Sequence, residues 1–78
     1  MSDLDKLIER IRSRPPVADF EDVRKLLEAF GWVLNREKGS HAMFTKEGER
    51  TISVPKVHGR KVKRVYLDMI CEILGLDD

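Results

Sequence analysis

The spacing of the hydrophobic residues changes at Gly31, and this change limits the possible folds more than any other feature of the chain. Before Gly31, apolar residues recur at the period of an α-helix, in which residues three and four positions apart share a face. One such stripe runs through residues 3–13 and a second through residues 20–30. After Gly31 apolar and polar residues alternate, which is typical of strands with one buried face. The pattern therefore predicts two helices followed by a sheet.

Local signals predict where these two helices end. Pro15 and Pro16 end the first helix, because the residue before a proline avoids helical backbone angles. Asp19 is a suitable N-cap for the second helix, since its carboxylate can accept a hydrogen bond from a free N–H of the first turn. Gly31 stands where a helix commonly ends in a residue with positive φ.

The middle of the chain is predicted to form a three-stranded antiparallel meander. The strands are expected at residues 32–36, 41–46 and 51–55, joined by hairpin turns and followed by a basic loop over residues 56–63. A last helix ends at Gly75. Its predicted apolar stripe consists of Val65, Met69, Ile70, Ile73 and Leu74. Helical stripes can bury against one sheet face only, so the order predicts a two-layer α+β sandwich whose other sheet face is open.

The alternation within the second strand predicts where His41 lies. Ala42 and Phe44 fall on one face of that strand, and His41, Met43 and Thr45 fall on the other. Phe44 is expected in the core, which leaves His41 on the open face or at its rim. Met43 is expected to be a packing residue.

The length of the chain limits the kind of site that it can hold. With 78 residues, the chain is expected to form one domain, 1–78, that buries only about 60% of its unfolded surface. That size favours an open site for a polymer over a deep cofactor pocket. The single cysteine, Cys71, excludes an intrachain disulfide and is expected to be a small buried hydrophobe. The sequence also lacks a membrane span and a signal peptide, so a cytoplasmic protein without membrane attachment is predicted.

The formal net charge of +1 hides a basic middle segment. Residues 31–66 carry nine Lys or Arg against three Glu, a net of +6, whereas residues 67–78 carry four acids and no base. Such an asymmetry suggests a surface that binds a polyanion. A solvated basic loop would have the same composition, and both interpretations stay open at this point.

Two histidines, His41 and His58, lie in the basic segment. An imidazole can take a proton from one oxygen and give it to another near neutral pH. RNA carries its own nucleophile, the ribose 2′-hydroxyl, so its cleavage needs little beyond a placed base, a cation and a proton donor. A histidine without a catalytic role is the more common case for this residue type. No metal site is predicted, because neither histidine has a thiolate partner or an adjacent carboxylate.

Several short motifs stand in an order that is typical of one protein family. They are Leu27, Gly31-Trp32, Arg36, Gly39-Ser40-His41, Phe44, Ile52-Ser53-Val54-Pro55 and His58-Gly59-Arg60-Lys61. Together they resemble the HicA family of toxin mRNA interferases over roughly residues 20–76. Gly-Ser-His alone is a weak signal, but the motifs before and after it make the combination specific.

The resemblance implies a fold similar to the double-stranded-RNA-binding domain over residues 19–76, with residues 3–13 as an additional N-terminal helix. It further implies a metal-independent endoribonuclease that cleaves messenger RNA without a cofactor, with His41 as general acid/base, and a HicB-like antitoxin that blocks the site. The turns around the motifs are assigned to Gly39 and Gly59. The basic middle segment and the two motifs together predict the RNA contacts, which are Arg36, Lys38, Ser40, His58, Arg60, Lys61, Lys63 and Arg64.

Two features depart from the family pattern. The additional helix at residues 3–13 has three open roles, namely capping the fold, pairing two protomers into an oligomer, and altering the docking of the antitoxin. Residues 63–66, without a good N-cap, stand where family members often have Gly-Thr at the start of the last helix. Two alternatives to a nuclease therefore stay open: a double-stranded-RNA-binding module without catalysis, and an inactive toxin-like domain that binds a protein.

Overall fold

The computed structural model describes residues 2–77, which form three helices and five strands. In chain order these are α1 (Asp3–Arg12), β1 (Val17–Asp19), α2 (Phe20–Ala29), β2 (Val33–Lys38), β3 (His41–Thr45), β4 (Ile52–Pro55), β5 (Lys61–Lys63) and α3 (Arg64–Leu74). Strands β2, β3 and β4 form an antiparallel sheet in that order, the predicted meander. The arrangement is the α+β fold of a double-stranded-RNA-binding domain with an additional N-terminal helix, which confirms the predicted fold class.

The predicted loop over residues 56–63 is wrong for its last three residues. Lys61–Lys63 forms β5, which pairs antiparallel with Val17–Asp19 in a separate two-stranded sheet. Ala18 and Val62 lie opposite each other in this sheet and are both buried. Three alternating residues are too short a pattern to distinguish a strand from a loop, so the pairing became visible only in the folded chain.

The predicted cap of α2 is also different from the observed one. Asp19 occupies the N-cap position, but its side chain makes no hydrogen bond to the helix. Its carboxylate instead accepts a hydrogen bond from the ammonium of Lys61. The free N–H of Phe20 donates to the carbonyl oxygen of Arg60 at 2.9 Å, so the backbone of the β4–β5 connection satisfies one donor of the first turn.

The other end of α2 follows the prediction. Gly31 has a φ of +92° and donates its N–H to the carbonyl of Glu28 at 3.1 Å, while Trp32 donates to Leu27 at 3.0 Å. These two bonds define a Schellman motif, which requires a residue with positive φ after the helix. The motif reverses the chain directly into β2.

One cluster of buried residues joins the helices to one face of the meander. Its members are Ile11, Ala18, Phe20, Val23, Leu26, Leu27, Trp32, Ala42, Phe44, Ile52, Val54, Val62, Leu67, Ile70 and Cys71. The strand residues in this set confirm that Ala42 and Phe44 share the core face and that His41 lies on the opposite one. Cys71 is buried as predicted, and burial raises the pKa of its thiol.

The predicted stripe of α3 is only partly correct. Val65 and Ile73 are 61% and 43% exposed, respectively, whereas Leu67 is buried. The buried face consists of Leu67, Ile70, Cys71 and the half-buried Leu74. These four positions have the spacing of one helical face. The predicted stripe lies on a different side of the helix, because α3 is apolar at more positions than one face can bury.

Helix α1 packs against α2 and α3 and contributes Ile11, which is 0% exposed, to the core. Arg14, just after the helix, donates hydrogen bonds to the carboxylates of Asp68 and Asp77. Asp77 and then Asp68 raise the pKa of Arg14. The additional helix therefore caps the helical layer. Within residues 2–77 no helix has the length and apolarity needed to cross a membrane.

Candidate active site

His41 is the first residue of β3 and lies on the uncovered face of the meander. A two-residue loop, Gly39 and Ser40, connects it to Lys38, its partner across the ladder. Gly39 has a φ of +60°, as a hairpin of this length requires at its first central position when it adopts a type II′ turn. His41 is exposed and its neighbour Ala42 is fully buried, so the strand alternation holds from its first residue.

A β-bulge in β2 places two cations on this open face. The register shifts between Leu34, which lies opposite a core residue of β3, and Arg36, which lies opposite Met43. Asn35 is the extra residue. In a regular strand Leu34 and Arg36 would share a face, but the bulge moves Arg36, and with it Lys38, to the open face.

The open face carries a shallow groove of about 500 Å³. Its lining residues are Arg36, Lys38, His41, Met43 and Ser53. The strand register arranges them in two rows that each cross all three strands. One row is Arg36, Met43 and Ser53, and the other is Lys38, His41 and Pro55. In the part of the chain that the structure describes, no carboxylate forms an ion pair with Arg36 or Lys38.

A nearly buried lysine fastens the hairpin from the opposite side of the sheet. Lys56 Nζ donates to Glu37 Oε2 at 2.8 Å, and only 7% of the Lys56 side chain is exposed. The ammonium also lies 4.9 Å from the centroid of the Phe20 ring, at the range of a cation–π contact. The backbone N–H of Lys56 donates to the carbonyl oxygen of Ser40 at 2.7 Å. These contacts hold the end of the hairpin from which His41 projects.

The ion pair changes the titration of its acidic member. The hydrogen bond from Lys56 holds the pKa of Glu37 below its ordinary value, because the bond is made to the ionised carboxylate. Sequence reasoning did not single out either residue. Their pairing joins positions 19 residues apart, which no local pattern indicates.

The second histidine motif forms a tight turn in the β4–β5 connection. Val57 and Lys61 exchange backbone hydrogen bonds of 2.8 and 3.0 Å around it. His58 and Gly59 both have positive φ, +46° and +83°, a conformation that is uncommon for a residue other than glycine. His58 is exposed.

Two cations of the predicted RNA-contact cluster are paired with acids at the start of α2. Arg60 donates to Glu21 Oε1 at 2.6 Å. Lys61 contacts the carboxylate of Asp19 and lowers its pKa through this hydrogen bond. Surface ion pairs are weak, so a phosphate could compete for either cation.

The remaining two cations lie at the junction of β5 and α3. Arg64 Nε donates to the carbonyl oxygen of Arg14 at 2.8 Å. Lys63 occupies the N-cap position of α3 and makes no side-chain hydrogen bond to the helix, in agreement with the predicted lack of a good N-cap. The structure thus brings Arg36 and Lys38 together with His41, and it places the other predicted contacts outside the groove, Ser40 in the hairpin loop and the rest near the two-stranded sheet.

Met43 and Ser53 are groove residues that sequence reasoning did not assign to a site. Met43 is half-buried on the open face rather than in the core cluster, and Ser53 lies directly opposite it. The alternation of the second predicted strand already placed Met43 on the open face, and the signal available for Ser53 is its position between the apolar residues Ile52 and Val54. Within residues 2–77 no group of three or more His, Cys, Asp or Glu side chains could hold a metal ion.

Comparison with protein families identifies the class to which this fold and groove belong, the toxins of bacterial toxin–antitoxin systems. Residues 20–76 match the family described as the HicA toxin. The chain therefore belongs to the HicA toxin family. The matched residues begin at α2, so α1 precedes them. Searches of curated proteins and of solved structures returned no significant match.

Proposed function

We propose that this HicA-family toxin is an endoribonuclease that cleaves messenger RNA without a metal ion, with His41 as its general acid/base. The observation that carries the proposal is the position of His41, exposed in an open groove that also contains Arg36 and Lys38. An exposed imidazole beside two cations that have no carboxylate partner among residues 2–77 suits a long anionic substrate whose 2′-hydroxyl groups can give up a proton.

The chemistry needs one new bond and one broken bond. The 2′-oxygen of a ribose bonds to the adjacent phosphorus, and the bond from phosphorus to the 5′-oxygen breaks. This leaves a 2′,3′-cyclic phosphate and a 5′-hydroxyl. His41 takes the proton from the 2′-hydroxyl, and a proton from the imidazolium or from water reaches the departing 5′-oxygen. A positioned base contributes about 10²–10⁴-fold to the rate, and Arg36 and Lys38 stabilise the charge that develops on the phosphate oxygens.

Further parts of the proposal concern the wider surface. Ser40, His58, Arg60, Lys61, Lys63 and Arg64 are proposed to contact the RNA backbone beyond the groove. A HicB-like antitoxin would neutralise the toxin by covering the open sheet face, which no other element of the described chain covers. The toxin would act in the cytoplasm as one domain, 1–78, where messenger RNA is translated. Pairing of protomers through α1 stays a prediction.

Incubation of purified protein with labelled RNA in excess EDTA tests the proposal. Wild type should cleave and leave cyclic phosphate ends. His41→Ala should lose at least about 10²-fold in rate with an unchanged melting temperature, because the side chain is exposed and makes no contribution to the core. Free imidazole in the buffer should restore part of the lost rate.

Three outcomes would contradict the proposal in different ways. Full cleavage by a folded His41→Ala variant would remove His41 from the mechanism. Loss of wild-type cleavage in EDTA would replace the metal-independent mechanism. Tight RNA binding without any cleavage would leave the alternative of a non-catalytic RNA-binding module.

A further inference from the structure

The groove beside His41 is lined by an apolar side chain, Met43, that does not belong to the core cluster. Met43 belongs to the central strand β3, and its two neighbours Ala42 and Phe44 supply the core contacts of that strand. Met43 points to the open face and lines the groove. A flexible, polarisable thioether packs well against aromatic ring faces. The groove therefore has a surface suited to a flat ring.

The residues on either side of Met43 complete a row of three different chemistries. Arg36 lies opposite Met43 on β2, and Ser53 lies opposite it on β4. Neighbouring strands are about 4.8 Å apart, so the row spans about 10 Å. A guanidinium suits a phosphate, a thioether suits the face of a base, and a hydroxyl can donate to or accept from a base edge. The row thus matches the parts of one nucleotide in order.

The row lies one step along the strand from the proposed catalytic residue. His41 and Met43 share a face two positions apart, which corresponds to about 6.7 Å. A base resting on Met43 therefore belongs to a nucleotide next to the bond that His41 would cleave. The groove volume of about 500 Å³ falls in the range of sites that hold small organic ligands.

We infer that Arg36, Met43 and Ser53 form a subsite for one unpaired nucleobase adjacent to the cleaved bond, so that the substrate at this point is single-stranded RNA. The inference rests on the proposed nuclease function and specifies its substrate. In an A-form duplex the bases are stacked and paired, and their faces cannot reach a side chain on an open sheet. An unpaired base can stack on a protein surface without regard to sequence.

The charges favour RNA over a protein as the occupant of this row. Lysine is depleted in protein–protein interfaces, and a cation that a protein covers without a partner loses its hydration. Here Arg36 flanks Met43 directly and Lys38 flanks His41, and neither cation has a carboxylate partner in the described chain. A polyanion would satisfy both cations at once.

Binding of an uncleavable oligonucleotide to the 78-residue protein tests the subsite. The probe is a single-stranded RNA in which every 2′-hydroxyl is replaced by fluorine, and a second set has one abasic position moved along the strand. For wild type, one abasic position should weaken binding by about two- to tenfold, the range expected for a sulfur–ring contact. Met43→Ala should weaken binding of the intact probe by the same factor. It should have no further effect on the probe that is abasic at that position.

Further variants separate the roles of the row. Met43→Phe should tighten binding of the intact probe, because an aromatic ring stacks more strongly on a base. Ser53→Ala should alter the preference among the four bases at the sensitive position and leave the abasic probe unaffected. Thr45→Ala, on the same strand and face but outside the groove lining, is the matched control and should change nothing.

The result that overturns the inference is an equal effect of Met43→Ala on intact and abasic probes, or no effect on either. A Met43→Ala defect seen only in binding to the antitoxin would also overturn it, since the row would then be a protein contact. If wild type cleaves RNA but no abasic position weakens binding of the probe, the subsite is wrong and the nuclease proposal stands. If Met43→Ala weakens binding of the intact probe but not of the abasic one, and wild type does not cleave RNA, the subsite is supported and the nuclease proposal is wrong.

Discussion

Gly39 links the backbone of the hairpin to the position of His41. Its φ is +60°, and a Cβ at this position would meet no atom within 4 Å. Gly39→Ala should therefore lower the free energy of unfolding by about 1–3 kcal/mol, the cost of holding a residue other than glycine in a sparsely populated backbone region. We expect a larger loss in RNA cleavage than this stability change explains, because the turn ends at His41. Denaturant unfolding and initial cleavage rates measure the two effects.

Gly48→Ala is the matched control for that experiment. Gly48 also has a positive φ, +82°, and equally open space around its missing Cβ, but it lies in the turn between β3 and β4. It should show a similar stability loss with cleavage close to wild type. Equal cleavage losses in both variants would mean that the Gly39 turn has no special relation to the site.

The ion pair between Glu37 and Lys56 makes the stability of the fold depend on pH. Lys56 holds the pKa of folded Glu37 below its ordinary value, so the ion pair stabilises the fold above the ordinary pKa range of glutamate. This contribution is lost as the pH falls through the lower pKa of the folded state. Glu37→Gln should be less stable than wild type at neutral pH, and the difference should shrink on acidification. Melting temperatures of the two proteins between neutral and acidic pH provide the measurement, and a difference that is constant over this range would contradict the assignment.

At the level of elements, α1 is part of the core although it precedes the residues that match the family. Ile11 is 0% exposed within the core cluster. Ile11→Ala should lower the free energy of unfolding by about 2–5 kcal/mol, a large share of the stability of a small domain. Leu4→Ala, on the same helix but at a position 39% exposed, should cost less than about 1 kcal/mol. Comparable losses in chemical denaturation would show that α1 does not pack as described.

The elements that sequence reasoning predicted correctly are those with a long periodic pattern or a strong end signal. The change of period at Gly31 placed α2 and the meander in the right order, and Gly31 and Gly75 both adopt the positive φ expected at a helix end. The strands β1 and β5 were missed, because each has three residues and neither is stable without the other. Their pairing depends on contacts between distant parts of the chain.

The sequence predicted the position of His41 in the site but not that of Arg36 beside it. The exposure of His41 followed from the alternation that buries Ala42. The position of Arg36 did not, because a spacing of two from Leu34 predicts a shared face and only the bulge at Asn35 separates them. A bulge adds one residue without a distinctive composition, so only the register of the paired strands shows where it is.

For the molecule as a whole, the structure divides the basic middle segment into two surfaces. On the open sheet face, Arg36 and Lys38 have no carboxylate partner among residues 2–77, and at the two-stranded sheet Arg60 and Lys61 are paired with Glu21 and Asp19. The net charge of the segment is therefore a poor guide to where a polyanion would bind. At Arg36 and Lys38 a phosphate would meet no competing carboxylate from the described residues, whereas at Arg60 and Lys61 it would have to displace one.

The salt dependence of RNA binding should distinguish these two surfaces. Each phosphate neutralised on a single strand adds about 0.7 to the slope of log affinity against log salt. Arg36→Gln and Lys38→Gln should each reduce the slope by about that amount, whereas Arg60→Gln and Lys61→Gln should reduce it less, because their charges are already balanced by neighbouring acids. Lys25→Gln, an exposed site on α2, changes the net charge equally and controls for the overall field. If all five variants shifted the slope alike, binding would depend on net charge alone. That result would contradict the proposal that RNA binds to the open sheet face.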